Sequence, residues 1–276
     1  MDAVLQLVPE AERAAAAASA EWVAAEIADW ASSLLGPAAP KLVRNLAYTI
    51  AAIAPGLPPD RQAVVARYSA WTFALDDRFD DPGREEAGIR ALAEGVAADP
   101  VLAPSLAEAL AGVVPYASAE AMALIEATVA DDVRAGAEHA LLSRAVFTGS
   151  EPPPSLPDYL DLASRSIGYR TIVLLLLALA ECWPADAEQQ DTVRDALTAG
   201  CRAVRLANDQ RSAARHRAEG TLDVLLLATQ KEARAMMLAS MREHNAIAGT
   251  LPVAAASVLL NSLRVSVGLY QSSDLR

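Results

Sequence analysis

The prolines of this chain, several of them next to a glycine, fall between the periodic segments or at their ends, and this constrains the fold more than any other feature. Because both residues interrupt regular structure, the segments between them are read as whole elements. Alanine and leucine dominate those segments and runs of β-branched residues are rare, a composition that favours helix. The sequence therefore predicts an all-α fold, a bundle with short connections whose middle can hold a ligand.

The predicted helices follow one another closely along the chain. They are expected over residues 11–35, 41–53, 58 to the acidic cluster described below, 84–98, a short segment between 104 and 115, 118–147, 157–183, 185–219, 222–245 and 252–270. The clearest linker is 149–157, which includes three consecutive prolines. Composition is alike on its two sides, so we interpret it as a loop within a single domain of residues 1–276.

Charge and cysteine usage exclude several classes of protein. The formal net charge is −12, which argues against a nucleic-acid partner because duplex binding needs a basic surface. Cys182 and Cys201 form no CxxC pair, so free thiols are expected rather than zinc ligands. The longest apolar run, residues 171–180, is too short to span a bilayer, and no signal pattern is recognisable. We expect a cytoplasmic protein without a membrane span.

An unusual cluster of acids ends the helix that begins near residue 58. Asp76, Asp77, Asp80 and Asp81 are four acids within six consecutive positions after a buried apolar face. Asp76 and Asp80 are i and i+4, so they lie about a turn apart on one side of the helix. The two carboxylates repel each other at this spacing. A Mg²⁺ ion between them would turn the repulsion into a binding site, because Mg²⁺ takes carboxylate oxygens and keeps waters for a phosphate. A solvated acidic helix end is the alternative.

A second polar cluster lies on the helix over 185–219. Leu197, Cys201 and Val204 form one apolar stripe, and its continuation brings Asn208 and Ser212 onto the same face. Polar groups on a core-facing stripe are costly unless they are satisfied. They are either hydrogen-bonded inside the bundle or they form a second set of oxygen ligands that faces the first.

The two clusters together resemble the paired metal motifs of class I terpene synthases. DDRFD (residues 76–80) matches the family's DDxxD, and NDQRSAARH (208–216) resembles its Asn-Asp-x-x-Ser-x-x-Lys/Arg-Glu. The resemblance extends over essentially the whole chain and is strongest to small bacterial diterpene synthases. It implies a bundle in which three Mg²⁺ ions hold and ionise a prenyl diphosphate.

The resemblance carries roles over to particular residues. Asp76, Asp77 and Asp80 match the first motif, and Asn208, Asp209, Ser212 and Arg215 match the second. The family's final acid is missing, because His216 stands there and imidazole is a poor Mg²⁺ ligand. Glu219 lies on the Asn208 and Ser212 face of an ideal helix, so we predict that it substitutes. A surface acid before the Gly220 stop is the alternative.

Further residues are predicted to bind the diphosphate. The family's sensing arginine often falls at the position of Ala163, so Arg165 is the first candidate here and Arg170 the second. Arg264 and Tyr270 resemble an Arg and a Tyr of the family's closing segment; the full predicted set is Arg165, Arg170, Arg215, Arg264 and Tyr270. Gly168 is either a functional helix break or a packing glycine.

The resemblance implies a class I diterpene synthase. Its substrate would be a C20 prenyl diphosphate, either a bicyclic copalyl-type diphosphate or geranylgeranyl diphosphate. A sesquiterpene synthase acting on farnesyl diphosphate is the near alternative, and a non-catalytic isoprenoid-binding helical protein is the more distant one. A chain-elongating prenyltransferase would need a second DDxxD where this chain has NDQRS. A homodimer is left open.

Overall fold

The computed structural model of the protein describes residues 2–81 and 83–272. This part of the chain folds into twelve α-helices and three short 3-10 turns, so the all-α prediction is confirmed. The helices are α1 (Asp2–Leu5), α2 (Glu10–Leu35), α3 (Ala39–Ile53), α4 (Pro59–Phe79), α5 (Glu86–Gly95), α6 (Leu102–Ala111), α7 (Ala119–Thr148), α8 (Leu156–Ser166), α9 (Tyr169–Leu179), α10 (Ala187–Glu219), α11 (Gln230–Ala248) and α12 (Val253–Ser272).

Side chains cap the long helices at their first turns. The Ser118 hydroxyl accepts a hydrogen bond from the Ala121 N–H at the start of α7, and Asp186 caps α10 in the same way. Thr229 and Glu232 form a reciprocal capping box at the start of α11. Gly220 ends α10 with φ of 71°, the left-handed conformation that glycine adopts without a steric penalty.

The helices pack in two neighbouring groups. Helices α2, α3 and α4 lie against one another, as do α10, α11 and α12, and α12 also contacts α3. Helices α4 and α7 both contact α9, which lies between the groups. The largest fully buried side chains include Trp71, Tyr68 and Phe79 of α4 and Tyr159 of α8. The indole N–H of Trp71 donates to the Leu102 carbonyl at 2.9 Å, which satisfies the one polar atom of that side chain.

Two predicted helices differ from the structure. The segment 157–183 is broken at Gly168, whose φ of 69° separates α8 from α9. The segment expected to be helical from residue 222 instead forms a loop with a 3-10 turn at Val224–Leu226, and α11 begins only at Gln230. The reason is local capping, because the Asp223 carboxylate accepts a hydrogen bond from the Leu225 N–H and starts the turn separately.

The structure also bears on the expected absence of a membrane span. Val253–Gln271 is long and apolar enough to cross a bilayer by length and composition, and so is the bent pair α8 and α9 if it is counted as one span. Helix α12, which contains this segment, packs along α10, α3 and α11. The core helix of a bundle meets the same criteria.

Close packing around Gly200 provides a test of the α10 interfaces. A Cβ atom at this position would lie 2.9 Å from His244 of α11 and 2.9 Å from Tyr169 of α9. We expect Gly200→Ala to lower the free energy of unfolding by about 1–3 kcal/mol, the usual cost of overpacking. Chemical denaturation measures the change.

Gly95→Ala is the matched control, because a Cβ atom at Gly95 has no heavy atom within 4 Å. We expect this substitution to be neutral or slightly stabilising, since alanine is the better helix former. Equal stability of the two variants would show that α9, α10 and α11 do not pack as closely as described.

Candidate active site

A cavity of about 170 Å³ lies among α3, α4, α7, the α8–α9 break, α10 and α12. Much of its wall is apolar, formed by side chains that the core pattern directs inward: Leu46, Ile50, Ile53, Trp71, Leu75, Phe79, Val133, Ile172, Val204 and Leu269. Its acidic and amide residues are Asp76 and Asp80 from the end of α4, Asn208 from α10 and Asp132 from α7. Three helices therefore contribute these polar groups to one largely apolar space.

Both sequence clusters reach this cavity. Asp76 and Asp80 line it from α4, and Asn208 lines it from α10, together with Arg215. Tyr270 of α12 also belongs to the wall. These five are the predicted site residues that the structure brings together.

Two other motif residues lie beside the cavity rather than on its wall. Asp77 does not line the cavity, because consecutive helical residues diverge by about 100° and Asp76 takes the cavity side. Ser212 is almost completely buried, on the same stripe of α10 as Asn208. Their assignment as metal ligands stays a prediction.

Asp209 belongs to a buried network instead of the cavity wall. Its carboxylate has no solvent exposure and accepts hydrogen bonds from the Tyr159 hydroxyl at 2.6 Å and the Val224 N–H at 3.0 Å. The Arg205 Nε lies 2.8 Å from its other oxygen. Burial raises the pKa of Asp209, and the charge of Arg205 opposes that rise. The motif aspartate thus ties α10 to α8 and to the turn after α10.

Arg205 and His139 line the cavity and were not identified from the sequence. The Arg205 Nη2 donates to the Tyr159 hydroxyl at 3.1 Å and to the Leu222 carbonyl at 3.4 Å, and His139 Nε2 lies 3.2 Å from the same carbonyl. Burial, with the nearby charge of Arg205, lowers the pKa of His139, so this imidazole is neutral. The sequence did contain a signal for Arg205, because it precedes Asn208 by three positions and therefore shares its helix face.

His216 lies on the cavity wall, whereas Glu219 does not. Glu219 is exposed and pairs with Arg215, four residues earlier, at 3.0 Å. Its position near the end of α10 leaves Glu219 outside the lining of the cavity, and its substitution for the missing acid stays a prediction. His216 is buried, and its Nδ1 lies 3.7 Å from the Asp223 carboxylate.

Neither Arg165 nor Arg170 lines this cavity, and their assignment as diphosphate ligands stays a prediction. The Arg170 Nη2 pairs with Asp131 at 2.6 Å and with Asp132 at 2.7 Å, and Arg165 pairs with Asp131 at 3.4 Å. Both guanidinium groups instead line a separate cavity between α8, α10 and α11. Their acidic partners on α7 turn them away from the acidic cluster of α4.

Arg264, another predicted diphosphate ligand, does not line this cavity either. Its guanidinium donates to the Leu7 carbonyl and to the Asn261 side chain, and the residue is exposed. Six positions along a helix correspond to a rotation of about 240°, so Arg264 and Tyr270 cannot share a face of α12. Of these two residues, Tyr270 lines the cavity and Arg264 does not.

The donor set determines which metal could bind here. Among residues 2–81 and 83–272, no group of three His, Cys, Asp or Glu side chains is close enough to hold an ion unaided. Asp76, Asp80 and Asn208 offer oxygen atoms from two sides of the cavity. Hard divalent ions suit such incomplete oxygen sets, because they retain water and complete their coordination with substrate phosphates. The residues present therefore fit a divalent ion shared with a phosphate ligand.

Solved structures with the same fold define the class of protein. Linalool/nerolidol synthase from Streptomyces clavuligerus, in complex with 2-fluorogeranyl diphosphate, is 16% identical with a TM-score of 0.70, over 92% of this chain and 94% of that one. The SVS_A2 protein from ancestral sequence reconstruction is 17% identical with a TM-score of 0.66, over 94% and 84%. The fold is that of a class I terpene synthase.

A plant enzyme shares this fold over part of its length. Isoprene synthase from grey poplar (Populus x canescens), in complex with three Mg²⁺ ions and dimethylallyl-S-thiolodiphosphate, is 16% identical with a TM-score of 0.68. The match covers 93% of this chain and 55% of that one, so this chain corresponds to about half of the plant protein.

The family follows from the sequence itself. Residues 67–247 match the family model described as terpene synthase family 2, C-terminal metal binding. This match covers more than half of the chain, so the chain belongs to terpene synthase family 2. It is accordingly an enzyme with a metal-binding domain. No curated protein sequence matches it.

The buried carboxylate of Asp132, which lines the cavity, predicts a pH dependence of stability. Burial raises its pKa from 3.8 to about 6, against the opposing charge of Arg170. Because the folded pKa is the higher one, its stabilising contribution is complete below pH 3.8 and is lost as the pH rises through about 6. The shift corresponds to about 3 kcal/mol.

We expect the wild type to lose stability relative to Asp132→Asn as the pH rises from about 4 to 6. Unfolding free energies measured at several pH values give the difference. Asp161→Asn is the control, because Asp161 is exposed and should leave the pH profile unchanged. If the difference in unfolding free energy between wild type and Asp132→Asn does not change with pH, the burial of a charged Asp132 is contradicted.

Proposed function

We propose that this terpene synthase ionises a C20 prenyl diphosphate with Mg²⁺ and releases a cyclised or rearranged terpene plus diphosphate. The observation that supports it best is the joint position of Asp76, Asp80 and Asn208 on one cavity whose remaining wall is largely apolar. An isoprenoid chain needs the apolar part, and a metal-bound diphosphate needs the oxygen ligands.

The metal set is proposed to be three Mg²⁺ ions, as in the isoprene synthase complex. Asp76 and Asp80, with Asp77 retained from the motif, would hold ions on the α4 side, and Asn208 with Ser212 would do so on the α10 side. When bound, the ions supply Lewis-acid neutralisation of the departing diphosphate. The protein fixes their positions by presenting both ligand sets from rigid helices.

Arg205, Arg215 and Tyr270 are proposed to contact the diphosphate. All three line the cavity. Burial lowers the pKa of Arg205, but Asp209 and its other partners raise the pKa by more than burial lowers it. This guanidinium therefore remains positive. A fixed positive charge beside the metal site stabilises the leaving group without any rearrangement. Arg205 therefore replaces Arg165 and Arg170 as the buried arginine of the proposal.

The apolar wall would control the fate of the cation. Aromatic residues are only 5% of the chain, yet two of its three phenylalanines, Phe73 and Phe79, line this cavity together with Trp71 and Tyr169. Aromatic faces attract cations, and the apolar surroundings exclude water that would quench them. The rare aromatic residues are thus concentrated where a carbocation would form.

The candidate substrates differ in the length of the prenyl chain. We place C20 first, as a copalyl-type or geranylgeranyl diphosphate, because both motifs resemble those of small bacterial diterpene synthases. Farnesyl diphosphate is second, since the complexes of structural neighbours contain analogues with shorter prenyl groups. A soluble cytoplasmic enzyme that acts alone or as a homodimer suits all of these substrates.

Product analysis tests the proposed function. We expect purified protein with Mg²⁺ to convert one of geranylgeranyl, copalyl and farnesyl diphosphate, in separate reactions, to a hydrocarbon or alcohol detected by gas chromatography. Asp76→Asn should lower kcat/KM by about 100-fold or more, the usual cost of removing one electrostatic stabiliser of the transition state.

Asp81→Asn is the matched control for this loss. It makes the same change of charge within the acidic cluster, but Asp81 is exposed, lies outside DDxxD and does not line the cavity. Its turnover should stay close to that of the wild type. Binding of the diphosphates without any product, with Mn²⁺ also tried, would favour the non-catalytic isoprenoid-binding protein instead.

A further inference from the structure

His216 occupies the cavity at the position where the family motif ends in an acid. It shares that wall with Asp76, Asp80 and Asn208, and only 4% of the residue is exposed. Glu219, the nearest acid further along α10, lies outside the cavity. The second motif therefore presents an imidazole where it would otherwise present a carboxylate.

Asp223 lies directly behind this imidazole. Its Oδ2 is 3.7 Å from His216 Nδ1, while its Oδ1 accepts from the Leu225 N–H at 2.8 Å and is thereby fixed in the turn. His216 Nδ1 is buried and has no hydrogen-bond partner within the described part of the chain. At 3.7 Å the contact is longer than a hydrogen bond, but a negative charge beside one ring nitrogen favours the proton on that nitrogen and the lone pair on the other.

Metal-binding histidines use a closer version of this arrangement. Their second ring nitrogen usually donates to a carboxylate, which fixes the tautomer and the ring orientation. With Nδ1 turned toward Asp223, Nε2 is the nitrogen left to act as a ligand. Imidazole suits transition-metal ions such as Mn²⁺, Co²⁺ and Zn²⁺ better than Mg²⁺.

We infer that the ion held by the second motif has a mixed ligand set, with imidazole nitrogen from His216 and oxygen from Asn208, and that this position selects a divalent transition-metal ion over Mg²⁺. Asp223 is the positioning residue that orients the imidazole. The inference rests on the proposed function for the location of the metal site. The carboxylates of α4 form an oxygen set that keeps its preference for Mg²⁺.

Pulsed electron paramagnetic resonance tests the nitrogen ligand directly. Metal-free protein is combined with Mn²⁺ and inorganic pyrophosphate, which stands for the diphosphate of a substrate. We expect ¹⁴N coupling from a directly bound imidazole in the wild type and no such coupling in His216→Gln. His139→Gln is the matched control, because His139 is the other histidine on this wall and the coupling should persist.

The wild-type spectrum is decisive even if His216→Gln does not fold. The chain has three histidines, and His244 lies against Gly200 rather than on the cavity wall. Coupling that persists in His139→Gln is therefore expected to arise from His216. Absence of imidazole coupling in the wild type, with Mn²⁺ bound, would overturn the inference.

Metal competition supplies a second readout. The ratio of Co²⁺ to Mg²⁺ affinity, measured by calorimetry with pyrophosphate present, should fall about 10-fold or more in His216→Glu. Asp223→Asn, which keeps the cap on Leu225, should weaken Co²⁺ binding about 10-fold, as is usual when the carboxylate behind a histidine ligand is lost. An unchanged ratio in His216→Glu would contradict a ligand role for His216.

These measurements contain no prenyl substrate, so they separate the inference from the proposed function. A synthase that turns over substrate without imidazole coupling would retain the proposed function and refute the mixed ligand set. A protein that shows the coupling but makes no product would retain the mixed ligand set and refute the proposed function.

Discussion

The ion pair between Arg205 and Asp209 is the interaction on which the rest of the site depends. Both groups are buried, and the Asp209 carboxylate also accepts hydrogen bonds from Tyr159 of α8 and from Val224 of the turn after α10. One carboxylate thus fixes three segments relative to each other. Removing one partner of such a pair leaves a buried charge uncompensated, typically at a cost of about 3–5 kcal/mol. Because Asn208 and His216 lie on the same helix as the pair, the rotation of α10 that directs them into the cavity is set by this contact.

The carboxylate of Asp132 fixes the position of α9, as the carboxylate of Asp209 fixes that of α10. Asp132 of α7 accepts from the Thr171 hydroxyl at 2.7 Å and pairs with Arg170, both just after the break at Gly168. The break redirects the chain so that Tyr169 and Ile172 line the cavity. A continuous helix through residue 168 would have changed the direction of these side chains. The polar residues of the interior therefore orient helices as well as supply ligands.

The sequence predicted the fold and the facing metal motifs because both depend on local periodicity. Asp76 with Asp80, and Asn208 on its apolar stripe, follow from 3.6 residues per turn alone. The positions of the arginines do not follow from periodicity. Arg165 and Arg170 are close in sequence to the segment that resembles the family, but their partners Asp131 and Asp132 lie on another helix. Tertiary pairing decides where a long, flexible side chain points, and no local pattern encodes it. The spacing of Arg205 from Asn208 does indicate a shared helix face, but the burial of its guanidinium against Tyr159 and Asp209 depends on tertiary contacts.

The two departures from the family motifs compensate each other in charge. Ala163 stands where the family often has its sensing arginine, and it is fully buried, so the chain lacks one positive charge there. His216 stands where the family has an acid, so the second motif lacks one negative charge. A neutral ligand set leaves more of the charge of its metal ion to act on an anionic diphosphate, which offsets the missing guanidinium. Arg205 lies on the same cavity wall, where its charge is paired with the buried Asp209 carboxylate. On this argument the chain keeps the electrostatic balance needed to ionise a diphosphate while it changes the residues that provide it.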